Sequence, residues 1–335
     1  GGSTYGEAGL AAVGGAAEAY GLVAAGSGVY SVSFANLTLT ATGGDGGSGG
    51  TAQTFQADTN NSHGDRYKSN DGADGGNAAS VGLTIQNGSM QLTAEAISST
   101  AAGGTGGNAG WDNNANILED SITHANAGQG GEATATGIAV QSLLSNELAV
   151  GVITATATGG DGGSGANGSY ADRMGAEVGG IGGIGGNAFA YSVWSSGTAA
   201  VTADSIKAAA VGGSGGTGAK GVSYAASNGG NGGTGGNAFA YGVRGSEQAL
   251  LTLTVDSIAA EAAAGTGGAG GSKGSYGGSS GVDGSAGGQG AQAEAYGVYV
   301  DSGSVITLSA KTNGGTITIG AKASNTETQK GSKAY

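Results

Sequence analysis

Residues 229–264 read GGNGGTGGNAFAYGVRGSEQALLTLTVDSIAAEAAA, and they hold one copy of a pattern that recurs along the whole chain. Gly-Gly-x triplets come first, followed by an extended run at 238–243 and a Thr-rich alternating run at 251–255. Period-two alternation in β-branched residues is typical of strands. An Asp-Ser-Ile step then leads into an Ala-rich run. We therefore expect three short strands, separated by turns, in each unit.

The extended run occurs in six copies along the chain. A shared position marks them, at Gly21, Gly82, Gly137, Ser192, Gly242 and Gly297. A near-constant spacing of about 55 residues indicates one structural unit repeated along the chain. We predict a single repeat domain over residues 1–335, with units at about 14–74, 75–129, 130–184, 185–234, 235–289 and 290–335.

The Gly-rich part of each unit is itself regular. Runs at 43–50, 179–186 and 229–236 all repeat Gly-Gly-x. A period of three matches the left-handed extended helix with three residues per turn, whose two bare faces would let neighbouring backbones exchange hydrogen bonds. A lone run of this kind would equally fit a flexible linker. Regular placement after every third predicted strand favours ordered polyglycine II helices.

Short strands that recur in register build a parallel β-solenoid, with coils about 4.8 Å apart. The sequence therefore predicts an all-β fold, a parallel β-solenoid of about six coils with Gly-rich excursions and essentially no α-helix. The first strands are expected in one parallel sheet, near residues 17–23, 78–85, 133–140, 188–194, 238–243 and 293–300. The chain has no Pro, so almost every backbone N–H remains a hydrogen-bond donor.

Composition excludes several classes of protein. Of the 335 residues 78 are Gly, and a net charge of -13 with only 10 % charged residues argues against a nucleic-acid partner. Few large apolar residues would also fit a disordered chain, but the recurring runs of Val, Ile and Thr favour an ordered repeat with a thin core. No apolar stretch is long enough to predict a membrane span. We expect an extracellular or cell-surface location.

The coil at residues 295–310, AYGVYVDSGSVITLSA, resembles those of right-handed parallel β-helix surface proteins of the pectate-lyase-like superfamily. The Gly-Gly-x runs resemble those of bacterial glycine-rich repeat surface proteins and the polyglycine bundles of springtail antifreeze proteins. This resemblance implies a right-handed β-helix with polyglycine II excursions. Pectate-lyase-like enzymes use a carboxylate cluster for Ca²⁺ and a basic residue on one face. Arg66, Arg173 and Arg244 stand in unrelated positions, and 5 % aromatic residues leave little for a sugar-binding groove, so we expect no enzyme.

Acidic residues offer one candidate metal site. Asp58, Asp65, Asp71 and Asp74 fall in one excursion, and their carboxylates are hard ligands of the kind that Ca²⁺ prefers. The excursion lacks the register of calcium-binding β-rolls, so a solvated loop is the alternative. We expect no other cofactor, because His63 and His124 have no Cys or paired carboxylates nearby at ligand spacing.

Further residues recur at fixed repeat positions. Asp45 and Asp161 stand in identical GGDGGSG strings and could cross-link through Ca²⁺ or simply aid solubility. One repeat position is shared by Asn77, Asn187 and Asn237, which predicts a structural ladder of side chains across stacked coils. One aromatic position is shared by Tyr20, Tyr191, Tyr241 and Tyr296, with Phe189 and Phe239 two residues earlier. These rings either form an exposed binding strip or stack to cover the solenoid.

The expected solenoid has no separate caps, and open strand edges template pairing with another chain. Our leading functional hypothesis is a non-enzymatic structural subunit of a bacterial surface fibre or biofilm matrix, a homo-oligomer that assembles head to tail into a filament. The alternative is a binding protein, either an adhesin stalk with surface or glycan contacts or an ice binder. Thr-rich alternation at 154–158, with Thr38 and Thr40, predicts a flat hydroxyl array for the latter. A polysaccharide-active β-helix enzyme is the third reading.

Overall fold

The computed structural model describes residues 11–50, 71–110, 125–167, 178–221, 227–276, 279–287, 292–301, 303–312, 315–324 and 332–334. A seven-stranded parallel sheet, the first sheet, contains β1 (Ala17–Ala24), β3 (Ala78–Ile85), β5 (Ala133–Val140), β7 (Ala188–Ser195), β9 (Ala238–Gly245), β13 (Ala293–Val300) and β16 (Ser332–Ala334), in that order. The second sheet contains β2 (Val29–Thr42), β4 (Ser89–Ala102), β6 (Glu147–Thr158), β8 (Thr198–Val211), β10 (Leu250–Ala263) and β14 (Val305–Ser309), with β15 (Thr318–Ser324) also beside β10. A small antiparallel pair is formed by β11 (Ser275–Tyr276) and β12 (Ser279–Ser280).

These sheets confirm the predicted all-β parallel solenoid. Each coil contributes one strand to the first sheet and one to the second, and equivalent residues of successive coils pair in parallel, as Ala188 does with Ala238. The strands expected in one parallel sheet are found there. No α-helix occurs among the described residues.

The expectation of three strands per coil is wrong, because the second and third predicted runs form one continuous strand. At the acidic step of β4, Ala94 pairs with Val150 and Ala96 pairs with Val152, while Glu95 is passed over by the ladder. Two successive residues face outward there, and the inward alternation resumes at Ile97. The step therefore shifts the side-chain alternation by one residue without ending the strand, so each coil closes with two strands.

Two different cores lie between the sheets. Near the turn that joins the two strands of a coil, larger side chains such as Leu83, Met90 and Ile97 form one buried cluster. Towards the Gly-rich runs, the buried cluster consists of alanines alone, including Ala190 and Ala240. Beside the glycine helices, therefore, only methyl groups fill the space between the two sheets.

The Gly-rich runs are ordered and pack in two layers. One layer leads away from the second sheet and the other returns to the first sheet. The N–H of Gly103 and Gly106 donate to the next coil in the same layer, to the carbonyls of Thr158 at 2.9 Å and Asp161 at 2.8 Å. The intervening Gly104 donates across to the opposite layer, to Gly76 at 2.8 Å. Hydrogen bonds that change direction within each triplet and then repeat are what a threefold polyglycine II helix provides.

Glycine is required in these layers because the backbones touch. A Cβ atom built on Gly182 would lie 2.0 Å from the carbonyl oxygen of Gly216, and one on Gly232 would lie 2.0 Å from that of Gly268. Side chains larger than a methyl group stand at the third position of each triplet, which points outward, and a buried alanine replaces the second glycine at Ala73, Ala166 and Ala219. The interpretation of these runs as flexible linkers does not apply to the part that the structure describes.

Candidate binding surfaces

The outward position of each triplet carries a second hydrogen-bond system. Its backbone N–H points away from both layers, and an Asp or Asn side chain of the preceding coil accepts from it. The predicted ladder works in this way: Asn77 accepts from Glu132 at 2.8 Å, and Asn237 accepts from Gln292 at 2.9 Å. Asn187 likewise accepts from the N–H of Asn237. The asparagines are thus structural, although each side chain bonds to a backbone N–H and not to another asparagine side chain.

The acidic candidates take the same role where the structure describes them. Asp71 and Asp74 accept from the N–H groups of Asn126 at 2.7 Å and Gln129 at 2.8 Å. Asp58 and Asp65 lie outside the described residues, as do His63, His124, Arg66 and Arg173. Across the described ranges, no group of three or more His, Asp or Glu residues could hold a metal ion. The calcium site stays a prediction.

The repeated aromatic residues stack along the outer face of the first sheet. Phe189 and Phe239 lie 5.2 Å apart between ring centroids, and Tyr191, Tyr241 and Tyr296 follow one another at 5.1 Å. Neighbouring planes differ by only 7° to 8°. The stacking interpretation is therefore confirmed for these rings. Tyr20 stands apart, because smaller residues occupy its register in the two coils between.

The stack ends abruptly between the third and fourth coils. Tyr191 lies in register with Thr136, and Trp194 lies in register with Ala139. Both rings therefore have an aromatic or cationic neighbour on one side only. We call this boundary, formed by Tyr191 and Trp194 above Thr136 and Ala139, the aromatic step.

Arg244 supports the step from the next coil. Its guanidinium carbon lies 5.1 Å from the ring centre of Tyr241 and 5.7 Å from that of Tyr191, within cation–π range. Its Nη2 lies 3.5 Å from Oδ2 of Asp301, a long contact for a hydrogen bond. Burial raises the pKa of Tyr191, and it raises that of Tyr241 to about 12, although Arg244 lowers both. Both phenols are therefore neutral at ordinary pH.

An open depression of about 630 Å³ lies beside the step. Its lining combines aromatic, cationic, acidic and hydroxyl groups, from Thr136, Tyr191, Trp194, Arg244, Ser246, Glu247 and Asp301. Glu247 has a φ of 61°, a left-handed backbone that side-chain-bearing residues rarely adopt. Such strained residues are frequent at binding sites.

A different surface is found on the outer face of the second sheet. Three successive coils place hydroxyl groups in register there: Thr40, Thr100 and Thr156 form one row, and Thr38, Ser98 and Thr154 form the next. These side chains alternate with buried ones, as the predicted hydroxyl array requires. Lys207, in register with Thr154, ends the array in the fourth coil.

The first coil leaves its core partly open. The inward side chains Tyr30, Val32 and Phe34 of β2 are half-buried. Their partners one coil further on are Met90, Leu92 and Ala94, which are at most 7 % exposed. Among the described residues, β1 pairs only with β3, and β2 only with β4.

The sequence reasoning found the aromatic strip and the hydroxyl rows, but it missed the depression. The overall aromatic content of 5 % does not indicate the depression, because stacking brings the few rings together on one face. Reading the small residues Thr136 and Ala139 at the aromatic positions of the third copy would have located the step.

Comparisons with known proteins add little. No family model and no curated protein sequence matches the chain. One solved structure is similar in part, the nine polyproline type II helical bundle antifreeze protein of the springtail Granisotoma rainieri, whose crystal waters match the ice lattice. It shares 21 % identity, with 66 % of this chain and 91 % of that chain covered, at a TM-score of 0.19. A score this low establishes no common fold. No helix in the described part of the chain is long and apolar enough to span a membrane.

Proposed function

We propose that the protein is a non-enzymatic structural subunit of an extracellular fibre or matrix, in which copies stack end to end. The observation that carries this proposal is the open first coil. The apolar positions that are almost fully buried at Met90 and Leu92 are only half-buried at Tyr30 and Val32. A further coil laid against β1 and β2 would bury them, as every inner coil does for its neighbour.

A second copy of this chain is the occupant that fits this open face. At the opposite end of the solenoid, β14 and β15 together pair along β10 from Leu250 to Ala263, so the last coil offers strands that match the length of β2. Strand edges with free donors and acceptors extend readily by such pairing. At the other end of the described solenoid, Ile306 and Leu308 of β14 are likewise only partly buried against the core. Contacts between unlike ends do not close on themselves and therefore produce filaments.

Salt should strengthen this association. Subunits with a net charge of -13 repel one another, and physiological salt, with a Debye length of about 8 Å, screens most of that repulsion. Sedimentation velocity at low and high NaCl, with negative-stain microscopy, would show longer species at higher salt. A chain that sediments as a monomer at high concentration in both salts would overturn the proposal.

Two matched variants locate the contact. Val32→Glu places a charge on the half-buried inward row of β2, whereas Ser33→Glu places the same charge on the exposed outer side of the same strand. We expect the first to stop filament growth and the second to leave it unchanged, with equal thermal unfolding midpoints as the folding control. Equal assembly of both variants would place the contact elsewhere.

A second candidate function, ice binding, is favoured by the hydroxyl rows of the second sheet. Rows in register on a parallel sheet are spaced about 4.8 Å between coils, with about 6.6 Å between outward residues along a strand. Regular hydroxyl spacing of this kind can order water. Thermal hysteresis should be present in the parent and lost in Thr100→Lys at the centre of the array, with Glu261→Lys on β10 as the control outside it. Absence of hysteresis in the parent removes this candidate.

A further inference from the structure

We propose that the aromatic step binds a neutral saccharide, with a sugar ring laid against Tyr191 and Trp194. The two rings lie on the outer face of the first sheet, at the boundary between the third and fourth coils, although the depression extends to Asp301 in the last coil. End-to-end stacking does not use these two rings, so either property could fail without the other.

Partly exposed aromatic rings are the first requirement for a sugar, and Tyr191 and Trp194 are both half-buried where they line the depression. Tyr191 is covered by Tyr241 at 5.1 Å on one side, and in the coil on its other side Thr136 stands at the same register. Trp194 has Arg244 in register on one side and Ala139 on the other. Thr136 and Ala139 are at most 9 % exposed, so the two rings lie over them, and the remaining exposed surface of both rings faces the depression. A pyranose presents a flat face of C–H groups that buries well against such rings.

The rim of the depression provides the polar contacts that sugar hydroxyls need. Glu247 and Asp301 offer carboxylate acceptors, and Arg244 offers several donors of which the one to Asp301 makes only a long 3.5 Å contact. A hydroxyl group donates and accepts at once, so it can bridge a guanidinium and a carboxylate. Hydrogen bonds to charged groups are the stronger ones, and they would fix the orientation of the ring.

Other classes of small ligand fit this site less well. A cationic ligand would meet Arg244, which already occupies cation–π positions at Tyr191 and Tyr241. An anionic ligand would meet the carboxylates of Glu247 and Asp301. A purely apolar ligand would remain largely exposed in an open depression, whereas sites for such ligands enclose most of their surface. A neutral molecule with one apolar face and a polar edge matches all three constraints.

The fluorescence of Trp194 can itself report the binding of a saccharide. The chain has two tryptophans, and Trp111→Phe leaves Trp194 as the only one. The full-length Trp111→Phe protein would be titrated with cellohexaose, chitohexaose and maltohexaose, followed by tryptophan fluorescence and by calorimetry. We expect at least one hexasaccharide to give a saturable fluorescence change with one site per chain.

A variant that fills the depression tests the proposal most directly. Thr136 lines the depression in register with Tyr191, so Thr136→Tyr should add one ring to the existing stack and fill the depression beside Tyr191. We expect its saccharide affinity to fall by about tenfold or more, which is more than the loss of one ordinary contact. Tyr296→Ala, at the far end of the same stack, is the matched control and should keep the affinity of the parent within about twofold.

Three results would overturn the proposal or change the class of ligand. No saturable signal with any hexasaccharide at about 10 mM, where a millimolar site would be filled, overturns the proposal. Undiminished binding by folded Thr136→Tyr overturns it as well, because the sugar would then lie elsewhere. Saturable binding of choline at Trp194 without any saccharide binding would replace the sugar by a cationic ligand.

Discussion

The carboxylate of Asp45 accepts a 2.9 Å hydrogen bond from the backbone N–H of Thr105, which lies 60 residues further along the chain and one coil away. This bond ties an outward side chain of one glycine helix to the backbone of the next. Asp161 does the same for Ser214 at 2.7 Å. The two GGDGGSG strings thus contribute to holding the coils in register, beyond any effect on solubility.

Acid should weaken the hydrogen bond between Asp45 and Thr105, and one substitution can isolate this effect. The backbone hydrogen bond from Thr105 lowers the pKa of Asp45 below its ordinary value of 3.8. A lowered folded-state pKa adds stability that is present above pH 3.8 and is lost as pH falls through the folded-state value. Asp45→Asn keeps an acceptor at every pH. We expect thermal unfolding midpoints of parent and variant to diverge on acidification below this pH, with the parent falling faster; parallel curves would contradict this prediction.

A single methyl group should disrupt the glycine layers. Gly182→Ala places Cβ 2.0 Å from the carbonyl oxygen of Gly216, so backbone must move and a hydrogen bond is lost. We expect a cost of about 1–3 kcal/mol in the free energy of unfolding, measured by urea denaturation. Ile181→Ser, at the adjacent outward position, is the control and should cost much less. Equal and negligible effects at both positions would mean that the layers do not pack.

The side-chain acceptors between coils should contribute measurably to stability. Asn237 accepts from the N–H of Gln292 at 2.9 Å. Asn237→Leu removes the acceptor, and we expect a loss of about 0.5–1.5 kcal/mol in the free energy of unfolding. Asn237→Asp keeps the acceptor and should stay close to the parent at neutral pH. Hydrogen exchange of the Gln292 amide gives the local readout, and an unchanged exchange rate in the leucine variant would contradict this role.

The alanine core should reject larger side chains. Ala240 is fully buried where only methyl groups separate the two sheets. Ala240→Leu would force the sheets apart, and we expect a cost of about 1–3 kcal/mol or failure to fold. Ala79→Leu makes the same change on the outer face of the first sheet and should be tolerated. A leucine at residue 240 without loss in the urea midpoint would show that the sheets are not close there.

Alkaline pH should reveal the buried part of the aromatic stack. Burial raises the pKa of Tyr241 to about 12, so the neutral phenol is favoured by folding. The stabilisation is complete below the ordinary pKa of 10.0 and is lost as pH rises towards about 12. The difference in tyrosinate absorbance between the parent and Tyr241→Phe should show one group titrating late. Arg244→Gln removes a neighbouring cation and should shift that titration higher still; an ordinary pKa in the parent would contradict the burial.

Sequence periodicity by itself determined the class of fold. The six copies, the period-two runs and the Gly-Gly-x triplets are local patterns, and each constrains the backbone of its own segment. Equal spacing of the copies brings equivalent residues of successive coils into register. The stacking of Tyr191 on Tyr241 could therefore be predicted. The glycine packing also followed, since only glycine leaves a bare backbone face.

Tertiary structure decided what lies opposite each residue. The sequence around Glu95 predicts the end of a strand, but pairing of the residues on both sides of it keeps the strand continuous. Asn77 reads like a member of a side-chain ladder, but the nearest donor is a backbone N–H of the next coil. The aromatic step arises because Thr136 meets Tyr191 across coils 55 residues apart. Such contacts depend on which residues of successive coils lie in register, which the pattern within a single copy does not determine.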